Sequence, residues 1–524
     1  MNLNFLRRFL FDGIIITVIS LLACSTSLAN PEHVYIASDQ SAMNPACAFP
    51  DGTSTGGGVI HCYTPKQILA AYGIDQLQKE GLKGQGQTII IVDSFGSPTI
   101  QQDLNTFSDT FALPRTTVQF IYPNGPYTNT MQTPDQEGWA LETSLDIEWA
   151  HAVAPQARLV NIVTNTDETN GVAGLPDMFQ GISMAILQYP NSVISMSLGT
   201  GEQSFSPSDI QQYVHGSWQD ILKKAAQAHI TVFASSGDLG TSGVNAVNPI
   251  LYSSPVVGYP ADDPLVTAVG GTWLQIGWKW NPIGTSDDYW NGLLSCIFGT
   301  GCTPAYFYNY FNYSLTPDPN QVTEAVWKED WLPGATTGGI SQIFSLPLYQ
   351  LTVGKNNLNI LQNHRGVPDI SMNASTDGGA ELFTSFTAPS LGLAGPTWGV
   401  VGGTSLSSPE VAALTVLANQ KASQILHRQV AIGWLNPVLY LLPASDFNNI
   451  LPQTFGVQNQ VNLNNNMLYY NPTVFSLFGI NQPATVPGYQ ATSGYDLVTG
   501  RGSPKAVNYV NDLSTAIVFL NIVK

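Results

Sequence analysis

The sequence predicts an α/β fold: a mostly parallel central sheet covered by helices on both faces. Short apolar runs at Thr88 to Val92, Thr117 to Tyr122, Arg158 to Val163, Val193 to Met196 and Thr231 to Ala234 read as buried strands. Stretches with helical spacing, Thr99 to Phe111 and Ser208 to Ala228, lie between them. Strands alternating with helices wind into a parallel sheet, and in such sheets functional side chains belong just past the strand C-termini.

The elements follow in order. Arg7 and Arg8, the apolar run Gly13 to Ala23 and Ser27-Leu28-Ala29 have the layout of a secretory signal at residues 1–29, with the mature chain starting near Asn30. The apolar run is shorter than the ~20 residues a membrane span requires. A second processing point is Leu21-Leu22-Ala23-Cys24, which would leave the protein lipid-anchored through Cys24 at the cell envelope. Residues 30–62, rich in Ser, Gly and Pro, read as an irregular arm, and Pro65 to Glu80 as a helix. One domain is expected over 63–524. It is interrupted by an insertion at about Trp278 to Asn320 and by an Asn-rich irregular stretch from Phe455 to Pro487. The last apolar run, Ala516 to Val523, is too short to cross a bilayer and is expected to pack as the final element.

Composition excludes one class of function. Asp and Glu outnumber Lys and Arg by 36 to 18, so no basic excess is available to neutralise nucleic-acid phosphates. The acidic balance suits an acidic medium, where carboxyl protonation removes the self-repulsion. Without Cys24, four cysteines remain in two local couples, Cys47 with Cys62 and Cys296 with Cys302. Even number and export favour disulfides.

The sharpest chemical signal is Gly402-Gly403-Thr404-Ser405-Leu406-Ser407-Ser408-Pro409, opening a helical stretch. A serine at a helix mouth lies beside backbone N–H groups that can stabilise an oxyanion, although a capping serine after a glycine turn has the same look. A serine hydroxyl needs a base. Among the seven histidines, His151 is the nearest candidate, and its place at a helix end fits a structural imidazole equally well. Carboxylates offer a better base. Glu142 and Asp146 stand four apart in Gly138 to Trp149, on one helical face flanked by Leu141, Leu145 and Trp149. Covered in this way they would share a proton, whereas on an open face they would only be solvated. Asp238, in Ser235-Ser236-Gly237-Asp238 after a strand, is either a turn residue or, kept neutral, a hydrogen-bond donor to an oxyanion.

With these residues in place, the chain resembles the sedolisin family of serine-carboxyl peptidases, which have the subtilisin-like fold. The likeness runs through Tyr63-Thr64-Pro65, Gly84 to Asp93, the Glu142/Asp146 helix, Val153-Ala154-Pro155, Ser235 to Asp238, Val269 to Thr272, Gly338 to Ser341, Val367-Pro368-Asp369 and Gly402 to Ser405. The resemblance implies Ser405 as nucleophile, Glu142 as general base and acid, Asp146 as its orienting partner and Asp238 as oxyanion donor. It also implies a secreted endopeptidase cutting proteins or peptides at acidic pH, with a monomer expected. It further implies a calcium ion held by side chains of Asn449 and Asp496 and backbone carbonyls of Ile450, Thr492 and Gly494. Asn449 stands where the family has an aspartate, which lowers the charge of that set. The family's long prodomain has no counterpart in the roughly thirty-five residues after the signal, too few to fold alone. The competing readings are a catalytically silent scaffold binding a protein or carbohydrate, and a histidine-dependent enzyme with His151 beside Ser405.

Overall fold

The computed structural model describes residues 62–167, 172–243, 252–279, 316–329, 334–376, 378–391, 393–455, 461–468 and 486–523. The central sheet contains β1 (Thr88–Ser94), β2 (Val118–Ile121), β3 (Arg158–Thr164), β4 (Val193–Met196), β5 (Thr231–Ser235), β6 (Thr267–Lys279), β7 (Thr316–Val326) and β8 (Ile370–Asn373). Their order is β7-β6-β5-β4-β1-β3-β2, and β8 also pairs with β6. All pairings are parallel except β6 with β7. Every residue of β1, β4 and β5 is buried, as uninterrupted apolar runs require when both faces of a sheet are covered. The expected architecture is therefore present.

The principal helices are α1 (Pro65–Tyr72), α2 (Ile74–Lys79), α3 (Ile100–Thr110), α4 (Pro134–Val153), α5 (Leu175–Gln188), α6 (Trp218–Gln227), α7 (Thr404–Leu426) and α8 (Ala506–Ile522). Helices α4 and α7 pack on each other, α4 against β1 and α7 against β4, β5 and β6. Helices α5 and α6 form a second packed pair, against β3 and β5 respectively. Thr133 caps α4 by accepting the N–H of Gln136 at 3.2 Å, and Pro134 opens the first turn. From Glu137 to Val153 every residue of α4 is buried. That excludes the solvated-face reading of Glu142 and Asp146.

Strand β1 is flanked by β3 and β4, so the chain winds outward from it in both directions. The crevice at its C-terminal end is the place where such a sheet presents a site. Asp93 lies in that last stretch of β1, and the loops after β4 and β5 carry Ser197 and Asp238.

Several sequence expectations need correction. The helix expected over Pro65 to Glu80 is two helices, because Gly73 adopts φ 78° and its N–H closes back on Ala70 and Leu69 carbonyls. The helical stretch Ser208 to Ala228 is broken at Gly216, where φ −108° and ψ −113° leave helical space. The ends of the insertion read at Trp278 to Asn320 belong to the β6–β7 hairpin, pairing Trp278 with Pro317 and Lys279 with Thr316. Residues 280–315, with Cys296 and Cys302, lie outside the described residues. The signal, Cys24, and the arm through residue 61 also lie outside them, but Cys62 is in a strand, parallel to Gly379–Thr384. The Asn-rich stretch contains a short hairpin, Gln453–Phe455 with Val461–Leu463; residues 456–460 and 469–485 of it are outside the described residues. The final apolar run continues α8, burying Ile517 but leaving Phe519 and Ile522 exposed.

Candidate active site

The first turn of α7 forms the centre of the site. Gly402 precedes it in a space where an added Cβ would meet the Ala374 carbonyl oxygen at 2.5 Å, so only glycine lets the chain pass. Gly403, at φ 90°, then turns the backbone into the helix. Thr404 and Ser405 follow at the end where the first N–H groups have no intrahelical acceptor. Ser405 is 2% exposed.

Asp238 faces this turn from the loop after β5. Its Oδ1 accepts two hydrogen bonds from Thr404, from the backbone N–H at 2.8 Å and from the hydroxyl at 2.7 Å. The Thr404 hydroxyl in turn accepts the N–H of Gly237 at 3.0 Å. With Oδ1 committed as acceptor and Oδ2 buried without a partner among the described residues, a proton on Oδ2 would be presented as a donor. Burial pushes the Asp238 carboxyl up to about 7, against the lowering effect of the Thr404 bonds. Asp238 also lines a cleft whose walls include Leu198, Gly199, Ser236, Val257 and Thr337.

The α4 acids approach from the other side. Ser197, just past β4, donates its hydroxyl to Asp146 Oδ1 at 2.9 Å and stands 3.2 Å from the Ser405 carbonyl oxygen. Ser197 thus stands between the acid-bearing helix and the serine-bearing helix. Glu142 lies one turn before Asp146, and both are fully buried. Burial holds the Asp146 carboxyl well above its ordinary range, and the neighbouring charges of Glu142 and then Asp93 push it further. Glu142 and Asp146 are thus both covered, as the reading of one shared face requires.

Asp93 and Ser197 were not recognised in the sequence as site residues. Asp93 Oδ2 accepts from the Asn161 amide at 2.8 Å, and burial raises its carboxyl to about 7. Both residues stand at or just past strand C-termini, and that position was the available signal. His151 is elsewhere. Its Nε2 lies 2.8 Å from the Pro114 carbonyl oxygen, and burial lowers the imidazole to about 4. It is a neutral structural imidazole, and the histidine-dependent arrangement does not form.

The two segments expected to hold calcium do meet, but as a hydrogen-bonded clasp. Asn449 Oδ1 accepts the Gly494 N–H at 2.9 Å. Asp496 Oδ2 accepts from the Thr492 N–H at 2.8 Å, and its Oδ1 from the N–H groups of Val498 and Thr499 at 2.9 and 2.7 Å. Calcium requires six to eight oxygens turned inward. Here the side-chain oxygens of Asn449 and Asp496 each accept amide hydrogens, which leaves them less free for an ion.

Comparison with known proteins places this geometry. The family model described as the subtilase family matches residues 132–432, which contain Glu142, Asp146, Asp238 and Ser405. Kumamolisin from a Bacillus species is 28% identical over 457 residues, covering 86% of this chain and 63% of that protein. Tripeptidyl-peptidase SED1 from Arthroderma otae is 26% identical, covering 60% of this chain and 39% of that protein. The chain thus spans less than two thirds of the length of these curated relatives. A solved Pseudomonas sedolisin, described as a serine-carboxyl proteinase, shares the fold with a TM-score of 0.58 at 22% identity, over 87% of this chain and 99% of that one. The likeness to sedolisins read from the motifs is met by these relatives.

Two outcomes are expected from the site's electrostatics. Asp93, Asp146 and Asp238 have carboxyls raised on folding, so the stability they contribute is complete below the ordinary carboxylate range and is lost as pH rises, for Asp93 and Asp238 through about 7. Thermal melts should therefore give the highest midpoint near about pH 4 and a falling one toward neutrality; a midpoint rising over that interval would contradict the assignment. Chelation with EDTA should leave the midpoint unchanged, whereas a drop of more than about 4 °C would mean that an ion holds the clasp.

Proposed function

Because the chain belongs to the subtilase family, we propose that it hydrolyses peptide bonds of proteins or peptides in acidic solution, cutting within chains, through an acyl intermediate on Ser405. The observation that carries this reading is the convergence on the first turn of α7: Asp238 held there by Thr404, and Asp146 tied there by Ser197.

In this reading Ser405 Oγ attacks the carbonyl carbon while Glu142 takes its proton, and Asp146 holds Glu142 in the orientation and charge state that a base needs. The carbonyl electrons move onto oxygen, which receives the Asp238 Oδ2 proton as a hydrogen-bond donor together with N–H groups at the helix mouth. Collapse breaks the carbon–nitrogen bond, and the amine leaves with the proton returned by Glu142. Water then attacks the ester by the same route, regenerating Ser405. The cleft beside Asp238 receives the side chain next to the bond that is cut. Its lining of Leu, Val, Gly, Ser and Thr brings no fixed charge beyond Asp238.

Export rests on the character of residues 1–29, and processing at Asn30 or at Cys24 would distinguish a free protein from an anchored one. Among the described residues no helix is long and apolar enough to cross a membrane. Seven of the eight curated relatives matched carry the name tripeptidyl-peptidase, two of them as probable. Product analysis on a denatured protein therefore matters: internal fragments support chain-internal cutting, and a ladder of released tripeptides would replace it.

Ser405→Ala should abolish hydrolysis with the fold intact by melting and circular dichroism. Asp238→Ala should lower kcat by about 10²–10³. The rate against pH should be bell-shaped with an acidic maximum, its alkaline limb set where Asp238 loses its proton, near about 7. Undiminished activity of Ser405→Ala, or a maximum above neutrality, refutes this mechanism.

A further inference from the structure

A second group of buried acids lies behind the wall of the cleft. That wall is a two-stranded pairing of Thr200–Gly201 with Gly258–Tyr259, in which Gly201 and Gly258 line the cleft with Val256 and Val257. Immediately after Gly201 comes Glu202, whose N–H bonds the Val257 carbonyl at 3.1 Å and whose side chain is buried. Asp262, fully buried, follows the opposite strand and donates its N–H to the Gly258 carbonyl at 3.1 Å. Both carboxyls converge on Ser341, from the strand Gly339–Ser345. The Ser341 hydroxyl bonds Glu202 Oε1 and lies 3.0 Å from Asp262 Oδ2.

A serine hydroxyl has one hydrogen, and it cannot satisfy two carboxylates at once. Were both acids ionised, one of these contacts would set lone pair against lone pair in a dry interior. A further proton must therefore reside in the cluster. Glu202 is the better satisfied acceptor, because its oxygens also accept the N–H groups of Gln342 at 2.7 Å and Ile343 at 3.4 Å. Asp262 has no side-chain bond among the described residues apart from the contacts with Ser341 and Glu202, and its Oδ1 is buried without a partner. The proton sits on Asp262.

We propose that protonated Asp262, through Ser341 and Glu202, fixes the wall of the substrate cleft, so that substrate binding weakens, separately from the chemical step, once both acids ionise. Asp262 is a positioning residue: it acts on substrate only through the strands that line the cleft. The inference rests on the peptidase reading for its kinetic consequence alone.

The surroundings support the direction. Burial raises the Asp262 carboxyl well above its ordinary range, followed by the charge of Glu202, the hydrogen bond with it, and the charge of Asp263. Asp263 is itself raised to about 7 by burial, with Arg365 and Lys223 the cations that oppose the shift. The Tyr259 hydroxyl, pushed up by burial and by both aspartates, adds no cation. Nothing among these facing groups offers Asp262 a positive partner when its proton leaves. Repulsion would then act directly across the Gly201/Gly258 pairing.

The test uses the full chain as wild type, Asp262→Asn and Glu202→Gln, with KM and kcat for a fluorogenic peptide measured from acid to neutral pH. In wild type KM should rise as pH approaches neutrality, by up to about tenfold per pH unit. In Asp262→Asn, whose amide donates without a titrating proton, KM should stay flat while the alkaline limb of kcat, set by Asp238, does not move. Glu202→Gln leaves a single ionisable carboxyl, so it should flatten KM as well, and it decides the matter if the first variant fails to fold. A KM profile that is flat in wild type, or identical in wild type and variant, overturns the proposal. Melting midpoints on the same proteins separate this inference from the peptidase reading. If none of the three cleaves peptide, the peptidase reading fails, yet Asp262→Asn should still lose less midpoint than wild type between acid and neutral pH. Equal losses would remove the proton-holding cluster as well.

Discussion

The pair of hydrogen bonds from Thr404 to one oxygen of Asp238 sets the relation between sheet and helix on which the site depends. It fixes three things at once. The loop after β5 is held against the start of α7, Ser405 is placed at the helix mouth, and one oxygen of the Asp238 carboxyl is used up, leaving the other for the role proposed above. Two hydrogen bonds to a single oxygen make the orientation far less free than one would. The neighbouring glycines make the approach possible: Gly402 passes where a side chain would strike the Ala374 carbonyl, and Gly237, at φ 111°, stands against the Thr337 side chain.

The electrostatics of the interior follow from the same economy of charge. Lys and Arg number 18 against 36 Asp and Glu, and Asp93, Asp146 and Asp238 near the site are buried. Among the described residues Arg365 and Asp369 form a buried ion pair, and the aspartate also takes the Tyr440 hydroxyl and the Ala268 N–H. Elsewhere neutrality is reached by protonation. Asp93, Asp146, Asp238 and Asp262 are all pushed upward chiefly by loss of water. Such an interior is more stable where protons are supplied, which agrees with the acidic medium proposed above.

The fold was legible because its strands are short apolar runs with clear ends; Val193–Met196 is bounded in the structure as it is in the sequence. The Glu142 and Asp146 face was legible because helical period alone puts residues four apart together. The break at Gly73 was not, since Leu69, Tyr72 and Leu77 keep an apolar rhythm across it, and only the left-handed glycine ends the first helix. The β6–β7 hairpin was hidden by a Tyr-, Trp- and Asn-rich texture that resembles a loop. Ser197 and Asp93 escaped notice for a different reason. Each is an ordinary residue in its own segment, and its role arises from partners that the chain brings in from far along the sequence.

His151 gives a final point. Its ring is spent on the Pro114 carbonyl, and burial lowers the imidazole to about 4, so it is largely neutral near neutral pH. Reagents that disable serine hydrolases by alkylating an imidazole beside the nucleophile would enter this cleft without meeting that target at His151. Compounds that bond to the hydroxyl oxygen itself remain the route to a covalent probe.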